Sequence, residues 1–353
     1  MSYKVGPITV TVAGESHSKA LTVILEGIGA GQEIDMEELL SFMQRRAPGK
    51  NNQSTPRAEA DIPVILSGIK NGFTTGSPIS CIIENKDVKS SHYGEILDTP
   101  RPGHADYPAS VKFGDYFNHC GGGQFSGRLT AALCFAGGIA KQILKRNQID
   151  IYAHISSVGG IKDNSYKEEI IDVSGKQFPV ISDIASKNMI ELINKARENL
   201  NSVGGSIECA VTGVKAGFGD ALYNGIDGEL AKAVFAVPGV KGIEFGAGFD
   251  VCSMYGDENN DEYIIKDDEI KTLTNNHGGV LGGMTSGMPI LFNVAMKPTP
   301  SIAKAQKSVD LKNKTNKTLE IKGRHDPCIV HRAVPVIEAV TAIVILGKIS
   351  EGR

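Results

Sequence analysis

Near the carboxyl end the sequence reads Gly323-Arg324-His325-Asp326-Pro327-Cys328, and an apolar segment, residues 329–346, follows it. Proline lacks a backbone donor and biases the preceding residue away from helical geometry, so Asp326 is predicted to lie on a turn that the apolar segment anchors. A carboxylate beside Arg324 should stay ionised and could accept a proton in a reaction. The alternative is a surface turn in which the two charges form a structural ion pair.

The composition is that of a globular chain rather than of a nucleic-acid-binding or membrane-surface protein. Of the 353 residues, 41% are hydrophobic, and the formal net charge is −3. These values allow a sizeable core and give no basic surplus for binding nucleic acid. We find no apolar run long enough to span a bilayer, no signal region in residues 1–7, and no C-x-x-C pair among the six cysteines. We therefore expect a cytoplasmic protein with reduced thiols.

Hydrophobic periodicity predicts a mixed α/β chain built as one domain over residues 1–353. Alternating patterns predict strands at 8–12, 21–25, 64–66, 78–84, 149–157, 207–214, 240–245 and 290–296. Helical spacing predicts helices at 35–45, 129–145, 184–200 and 225–237. The order strand, glycine turn, helix, basic or glycine-rich loop occurs near residues 20–50 and again near 207–246, which favours an internal duplication. No change of composition marks a linker, so we predict one α/β fold with two related layers.

Several residues that could transfer protons or bind anions lie on predicted loops that glycine or proline constrains. The potential proton-transfer groups are His17, His104 and Asp326. The loop arginines are Arg46, Arg57, Arg101, Arg128 and Arg324. The planar guanidinium suits carboxylate and phosphate. A loop histidine can equally be a solvated side chain, and cations at the end of a helix can serve its dipole.

Two further loops are candidates for phosphate binding. The glycine-rich stretch Gly121 to Arg128 precedes the predicted helix 129–145, where free N–H groups and the helix dipole favour an anion, with Ser126 as a predicted cap. A tight turn that needs small residues for packing is the alternative. The second loop, Lys297-Pro-Thr-Pro-Ser301, combines a cation and hydroxyls on a proline-stiffened backbone. Together these residues predict an enzyme that acts on a small polyanion, and they are compatible with a phosphorylated cofactor. They do not identify the reaction.

An ordered set of motifs resembles the chorismate synthase family over nearly the whole chain. The motifs are Gly14-Glu-Ser-His17, Arg45-Arg-Ala-Pro-Gly49, Arg101-Pro-Gly-His-Ala-Asp-Tyr107, Gly121-Gly-Gly-x-x-Ser-Gly-Arg128, Val240-Lys-Gly242, Gly282-Gly283, Lys297-Pro-Thr299 and Gly323-Arg-His-Asp-Pro-Cys328. The resemblance implies a β-α-β-α sandwich and a reduced-FMN-dependent anti-1,4-elimination of phosphate from 5-enolpyruvylshikimate 3-phosphate. The product would be chorismate, made at the last common step of aromatic amino-acid biosynthesis, the shikimate pathway. The resemblance also implies a carbon–oxygen lyase and a homotetramer.

The resemblance also implies residue roles. His17 would protonate the departing phosphate, His104 would stabilise or protonate the reduced flavin, and Asp326 would work near flavin N5, with Ser16 and Ser126 as a hydrogen-bond relay. Substrate binding would fall to Arg46, Arg57, Arg101, Arg128 and Arg324. Cofactor binding would fall to Gln124, Phe125, Ser126, Pro238, Gly239, Gly282, Lys297, Pro298, Thr299, Pro300, Ser301 and Arg324. The chain has no Gly-x-Gly-x-x-Gly motif for a nicotinamide (NADPH) reductase, so we expect an external flavin reductant.

The chain departs from the family pattern in the loop before the predicted helix 129–145. The usual Arg-Ser-Ser-Ala-Arg-Glu-Thr is Gln124-Phe-Ser-Gly-Arg-Leu-Thr130 here, and the other departures are Ser18, Ala47, Asn52 and Pro300. They predict weaker binding of substrate and FMN rather than a new activity. Two rival interpretations remain: a non-catalytic FMN-binding protein that retains the fold, and a metal-dependent phosphatase or lyase. The second lacks any His-x-x-x-His or Cys-x-x-Cys spacing, so we predict no metal site.

Overall fold

The computed structural model describes residues 1–48, 60–86, 98–118, 121–321 and 326–352. The strands are β1 (Ser2–Val5), β2 (Ile8–Ala13), β3 (Ala20–Glu26), β4 (Pro63–Ser67), β5 (Ile69–Lys70), β6 (Phe73–Thr74), β7 (Ile79–Glu84), β8 (Asp150–Val158), β9 (Ile161–Lys162), β10 (Gly205–Thr212), β11 (Val240–Phe245), β12 (Tyr263–Lys266), β13 (Glu269–Thr272), β14 (Val280–Leu281), β15 (Met284–Thr285), β16 (Ile290–Met296), β17 (Gln306–Asp310) and β18 (Thr315–Leu319). The helices are α1 (Met36–Arg46), α2 (Asp106–Phe113), α3 (Thr130–Arg146), α4 (Asp183–Glu198), α5 (Ile226–Phe235), α6 (Gly256–Asn259) and α7 (Val330–Glu351).

The first large sheet is antiparallel and has the strand order β1-β2-β3-β7-β4. Its central strand β3 alternates strictly, so that Leu21, Val23 and Leu25 are fully buried on one face. The register places Val23 opposite Val12 of β2 and Cys81 of β7, which are also buried. Alternation in the sequence therefore fixes which face of this sheet enters the core.

The second large sheet is also antiparallel, with the order β11-β16-β10-β8-β9. Its central strand β10 has a continuous buried run from Ile207 to Val211. In both sheets a central strand, β3 or β10, precedes a helix, α1 or α5, as expected from the two similar stretches of sequence. The internal duplication itself stays a prediction.

Helices α3 and α7 lie between the two sheets. Helix α3 packs on β2 and β3, α7 packs on β8 and β10, and the two helices pack on each other. Gly137 permits this approach, because a Cβ there would lie 2.4 Å from the Cα of Ala339. The mixed layers of helices and sheets confirm the predicted α/β sandwich.

A buried carboxylate links the helices of this layer. Glu338 of α7 is 1% exposed and lies 2.5 Å from Arg45 of α1, while Lys141 of α3 donates to its other oxygen. Burial alone would raise the pKa of Glu338, but the two cations outweigh it and hold the pKa below its usual value. This carboxylate and its partners lie outside the cavity described below.

Helix α7 corrects one expectation from the sequence. Among the described residues, Val330–Glu351 is long and apolar enough to cross a membrane, so the prediction that no apolar run reaches that length was wrong. However, 89% of its most apolar 18-residue window is buried inside the protein, which is typical of a core helix. Its sides face α1, α3, α5 and both sheets, and this explains why it is apolar all round.

The remaining predicted elements agree with the structure to within a few residues at their ends, and the structure contains further elements. Helix α2 falls in a region that was predicted only as a loop. The lysine-rich residues 305–320 form the hairpin of β17 and β18. The polar residues 256–274 contain α6 and the hairpin of β12 and β13.

Candidate active site

Loops from both halves of the chain meet at a cavity of about 790 Å³. They follow β2, α1 and β16 and precede α2, α3, β11 and α7. The predicted site residues that line it are Ser16, His17, Arg46, Arg101, His104, Gln124, Phe125, Ser126, Arg128, Pro238, Gly239, Lys297, Pro298, Thr299, Pro300, Ser301 and Asp326. The fold thus brings together residues that are far apart in the sequence, while their individual roles stay predictions.

One described member of the predicted site lies away from this cavity, and two members lie outside the described residues. Gly282 lies at the turn between β14 and β15, with a positive φ of 59°, and does not line the cavity. Arg57 and Arg324 lie outside the described residues.

His17 is held by a turn that docks on the glycine-rich loop. The backbone N–H of Ser16 donates to the carbonyl of Gly123 at 3.1 Å, and the N–H of Gly122 donates to the Ser16 hydroxyl at 3.2 Å. Gly121 has a positive φ of 68°, and a Cβ there would lie 2.7 Å from Ser16 Oγ and 3.2 Å from His17 Nε2. Glycine is therefore required at this position both for the backbone conformation and for the contact with His17.

His104 shares a carboxylate with Arg101. Asp106, in the first turn of α2, accepts from Arg101 Nε and Nη2 at 2.7 Å each and from the Arg101 backbone N–H at 3.0 Å. His104 Nδ1 lies 2.6 Å from Asp106 Oδ1. Burial alone would raise the pKa of Asp106, but these hydrogen bonds hold it well below its usual value. We infer that Nδ1 carries the proton, because its contact with the ionised carboxylate is shorter than its 3.2 Å contact with Arg101 Nη2; this leaves Nε2 of His104 for the cavity.

Arg101 also joins neighbouring loops. Its Nη2 donates to the carbonyl of Gly121 at 2.7 Å and its Nη1 to Ser301 Oγ at 3.3 Å. The Lys297 ammonium donates to the carbonyl of Gly103 at 2.7 Å, which gives the loop of Arg101 and the loop of Ser301 a second connection. The predicted substrate-binding Arg101 is therefore also a structural link between three walls of the cavity.

Arg46 and Arg128 share one buried carboxylate. Arg46 Nε donates to Asp61 Oδ2 at 2.9 Å, Arg46 Nη2 donates to the same oxygen, and Arg128 Nη1 donates to Oδ1. Arg128 also donates to Asn85 Oδ1 at 2.7 Å and to the carbonyl of Glu84 at 3.1 Å. The Asp61 side chain has no exposed surface, and burial alone would raise its pKa; the two arginines outweigh this and lower it.

Asp326 forms an ion pair with an arginine that the sequence did not suggest. Arg332, in the first turn of α7, donates from Nη1 to Asp326 Oδ2 at 3.1 Å and from Nε to the carbonyl of Arg46 at 3.0 Å. Both side chains are mostly buried and line the cavity. Arg332 thus joins the turn that carries Asp326 to the end of α1.

Two cations of the cavity lie on β11 and directly after β16. Lys241 and Lys297 line the cavity, and both burial and the neighbouring Lys241 lower the pKa of Lys297. Thr299 Oγ1, in the loop that follows β16, is buried and has no hydrogen-bond partner among the described residues. A hydroxyl and two cations in this arrangement suit a phosphate group.

The altered loop at 124–125 places an aromatic ring at the cavity. Phe125 is 39% exposed and lines it, and its ring centroid lies 6.1 Å from Phe117 and 6.4 Å from Phe113. Ser126 accepts from the backbone N–H of Arg128 at 3.1 Å, so it caps the short turn that leads into α3 rather than α3 itself.

Sequence reasoning missed Asp61, Asp106, Lys241 and Arg332 as site residues. Asp106 and Lys241 stand inside motifs that were already quoted, and Arg332 is an isolated charge in an apolar segment. Asp61 had no local signal, because its partners are 15 and 67 residues away. Within the described ranges, no group of three or more His, Cys, Asp or Glu side chains is arranged to hold a metal ion.

An α/β sandwich whose loops enclose a cavity lined by cations, histidines and a carboxylate defines an enzyme-like site for a small anionic molecule. Comparison with known proteins narrows this class. The family model described as chorismate synthase matches residues 8–349. The chorismate synthase of Thermococcus gammatolerans is 45% identical over 96% of this chain and 94% of its own length. That of Pyrococcus abyssi is 46% identical with the same coverage.

A bacterial relative and a solved structure point to the same family. The chorismate synthase of Dehalococcoides mccartyi strain BAV1 is 43% identical over 98% of this chain and 96% of its own. A crystal structure of a chorismate synthase superposes with a TM-score of 0.77 at 27% identity, covering 99% of this chain and 93% of that chain. The chain belongs to the chorismate synthase family, which confirms the resemblance read from its motifs. It is therefore an enzyme of aromatic amino-acid biosynthesis with a small-molecule substrate.

Proposed function

We propose that the protein is a carbon–oxygen lyase that converts 5-enolpyruvylshikimate 3-phosphate to chorismate by anti-1,4-elimination of phosphate, with reduced FMN as cofactor. The observation that carries this proposal is the convergence of His17, His104 and Asp326 on one cavity that is also lined by arginines and lysines. A polyanionic substrate needs fixed cations, and a phosphate leaving group needs a proton donor. The cavity offers both.

The cavity also has features that fit FMN. The Thr299 hydroxyl, without a partner among the described residues, and the two lysines, Lys241 and Lys297, would hold its phosphate. The exposed ring of Phe125 would offer an aromatic face to the isoalloxazine, and Gln124, Pro238 and Gly239 line the same cavity. Reduced FMN, when bound, supplies electron density that weakens the carbon–oxygen bond to be broken.

The chain's own groups would handle the protons and charges. His17, held at the Gly121 turn, would give a proton to the departing phosphate. His104, whose Nδ1–H faces Asp106, would direct Nε2 toward the cofactor and exchange a proton there, and Ser16 and Ser126 would relay hydrogen bonds. Asp326 would accept a proton.

The substrate's phosphate and two carboxylates would be bound by arginines. Arg46, Arg101 and Arg128 already have protein carboxylates as partners, so they would offer the remaining N–H hydrogens of fixed guanidinium groups. Arg57 and Arg324 are proposed for the same role on the family resemblance. Fixed donors lose little conformational entropy when an anion binds.

We also propose a cytoplasmic homotetramer, one domain per chain, that receives reduced flavin from an external reductant. Large apolar side chains that remain exposed support an assembly, among them Leu222 (88%), Tyr223 (94%) and Phe249 (80%). Sedimentation of the purified protein would measure the assembly. Rapid oxidation of NADPH by the protein and FMN alone would contradict the external reductant.

An anaerobic assay tests the reaction. Purified protein is mixed with FMN, the flavin is reduced with dithionite, 5-enolpyruvylshikimate 3-phosphate is added, and chorismate and phosphate are measured together. We expect equal release of both, strictly dependent on reduced FMN, and large losses in His17→Ala, His104→Ala and Asp326→Ala. Binding of FMN without any product would instead favour a non-catalytic FMN-binding protein, the alternative suggested by the altered Gln124–Phe125 loop.

A further inference from the structure

Asp61 connects two elements that carry cavity arginines. Arg46 is the last residue of α1, and Arg128 lies in the turn that leads into α3. Each oxygen of Asp61 accepts from a different arginine, Oδ2 from Arg46 and Oδ1 from Arg128. All three side chains are at most 3% exposed. The carboxylate therefore sets the spacing of two guanidinium groups that come from separate parts of the chain.

Without the Asp61 carboxylate, the Arg46 and Arg128 guanidinium groups would not keep this spacing. Two guanidinium groups that share one carboxylate repel each other, and in a buried setting that repulsion is weakly screened. Asp61 also adopts a left-handed backbone conformation, with a φ of 49°, which aspartate tolerates better than most residues. Both the charge and the backbone thus favour aspartate at this position.

We propose that Asp61 is a positioning residue that aligns Arg46 and Arg128 as one anion clamp for the phosphorylated substrate of the cavity. This inference rests on the proposed function for the identity of the substrate. It does not require Asp61 to touch the ligand, because the two arginines line the cavity and the aspartate lies behind them without exposed surface. The clamp contributes binding in the ground state, so its loss should appear in KM more than in kcat.

The substitution Asp61→Asn tests most directly whether the two arginines need a shared carboxylate. The asparagine amide keeps the size of the side chain but offers one accepting oxygen and one donating nitrogen. It can therefore accept from one arginine only, and it presents N–H groups to the other. We expect Asp61→Asn to separate the two guanidinium groups by enough to weaken the clamp. Asp61→Glu keeps both acceptor oxygens and the charge, so it should recover part of the affinity.

A matched control separates positioning from general stability. Glu338 is likewise a buried carboxylate between two cations, Arg45 and Lys141, but it does not line the cavity. Glu338→Gln should therefore lower the thermal midpoint as Asp61→Asn does, while leaving KM for 5-enolpyruvylshikimate 3-phosphate unchanged at temperatures where both variants are folded.

The experiment combines a binding measurement with a kinetic measurement for the wild type and the variants. The first is the Kd of 5-enolpyruvylshikimate 3-phosphate and of inorganic phosphate by calorimetry, which needs no turnover. The second is KM and kcat in the anaerobic assay. We expect Kd and KM of Asp61→Asn to rise about 10- to 100-fold, since small misplacements of binding groups have effects of this size. Asp61→Glu should fall between that variant and the wild type.

Three outcomes would overturn the proposal. One is wild-type Kd in Asp61→Asn, and another is an equal rise of Kd in Glu338→Gln. The third is tighter binding in Asp61→Asn, which would make Asp61 an internal competitor for the arginines. If the wild type binds the substrate but makes no chorismate, the Kd comparison still decides the role of Asp61, so failure of the proposed function is distinguishable.

Discussion

Replacing Asp106 by asparagine should change both the tautomer of His104 and the stability of the loop that carries it. The ionised carboxylate accepts from His104 Nδ1 and from three N–H groups of Arg101. An asparagine amide can donate to Nδ1 instead of accepting from it. This would favour the tautomer with its proton on Nε2 and would loosen Arg101 at the same time.

The expected loss of stability follows from burial, and the expected loss of kcat follows from the role of the histidine. The Asp106 and Arg101 side chains are 5% and 6% exposed, and breaking a buried pair of this kind typically costs about 3–5 kcal/mol. Asparagine keeps one acceptor, so we expect a loss of about 3 kcal/mol in the free energy of unfolding. If Nε2 of His104 takes part in proton transfer, kcat should fall by about 10²- to 10⁴-fold.

The assay compares kcat with reduced FMN for the wild type, Asp106→Asn and a control, at a temperature where circular dichroism shows all three folded. The control is Asp163→Asn, which removes a carboxylate 3.0 Å from the buried His154, because neither residue lines the cavity. The control should lose stability and keep its kcat. Wild-type kcat in Asp106→Asn, or equal losses of kcat in both variants, would refute the reasoning.

The other predictions concern pH, backbone and cofactor. Burial, with a smaller contribution from Arg332, lowers the pKa of His331 to about 4 from 6.5, so protonation favours the unfolded state and stability is lost as pH falls below about 6.5. Between about pH 7.5 and 5 the wild type should lose about 2 kcal/mol more than His331→Leu in urea unfolding, and parallel curves would contradict this. Gly121→Ala should lower kcat by displacing His17, whereas Gly160→Ala, with a similar positive φ but open space around it, should lose only stability. Thr299→Val should weaken FMN binding about tenfold in a fluorescence titration, because it removes one hydrogen bond to a charged group; unchanged affinity would exclude that bond.

The fold was predictable where one face of an element is buried. Strand β3 shows its alternation directly, and its predicted and observed ranges differ by one residue at each end. Helix α7 could be predicted only as an apolar segment, because a helix buried on all sides has no periodic polar face. Helix α2 was missed for the opposite reason, since only Asp106 and Ala109 are buried in it. Pro108 in its first turn was the available signal.

The cavity was predictable in its loops but not in its ion pairs. Glycine and proline mark the loops that carry His17, His104 and Asp326, and these loops do meet at one cavity. The carboxylate partners of the arginines depend on tertiary contacts, as with Asp61, which lies 67 residues from Arg128. No periodicity or motif records such a contact, so only the structure could reveal it.

The arginines that line the cavity share one arrangement, in which each donates to an aspartate. Arg46 and Arg128 donate to Asp61, Arg101 to Asp106, and Arg332 to Asp326. Fixing a long side chain costs up to about 2 kcal/mol of conformational entropy, and here that cost falls on folding rather than on binding. The same aspartates cancel part of the positive charge, so the net attraction for an anion depends more on Lys241 and Lys297, which line the cavity as well. We therefore expect the arginine–aspartate pairs to set the geometry of the proposed anion site and the lysines to set its charge, so that the two properties can be changed separately.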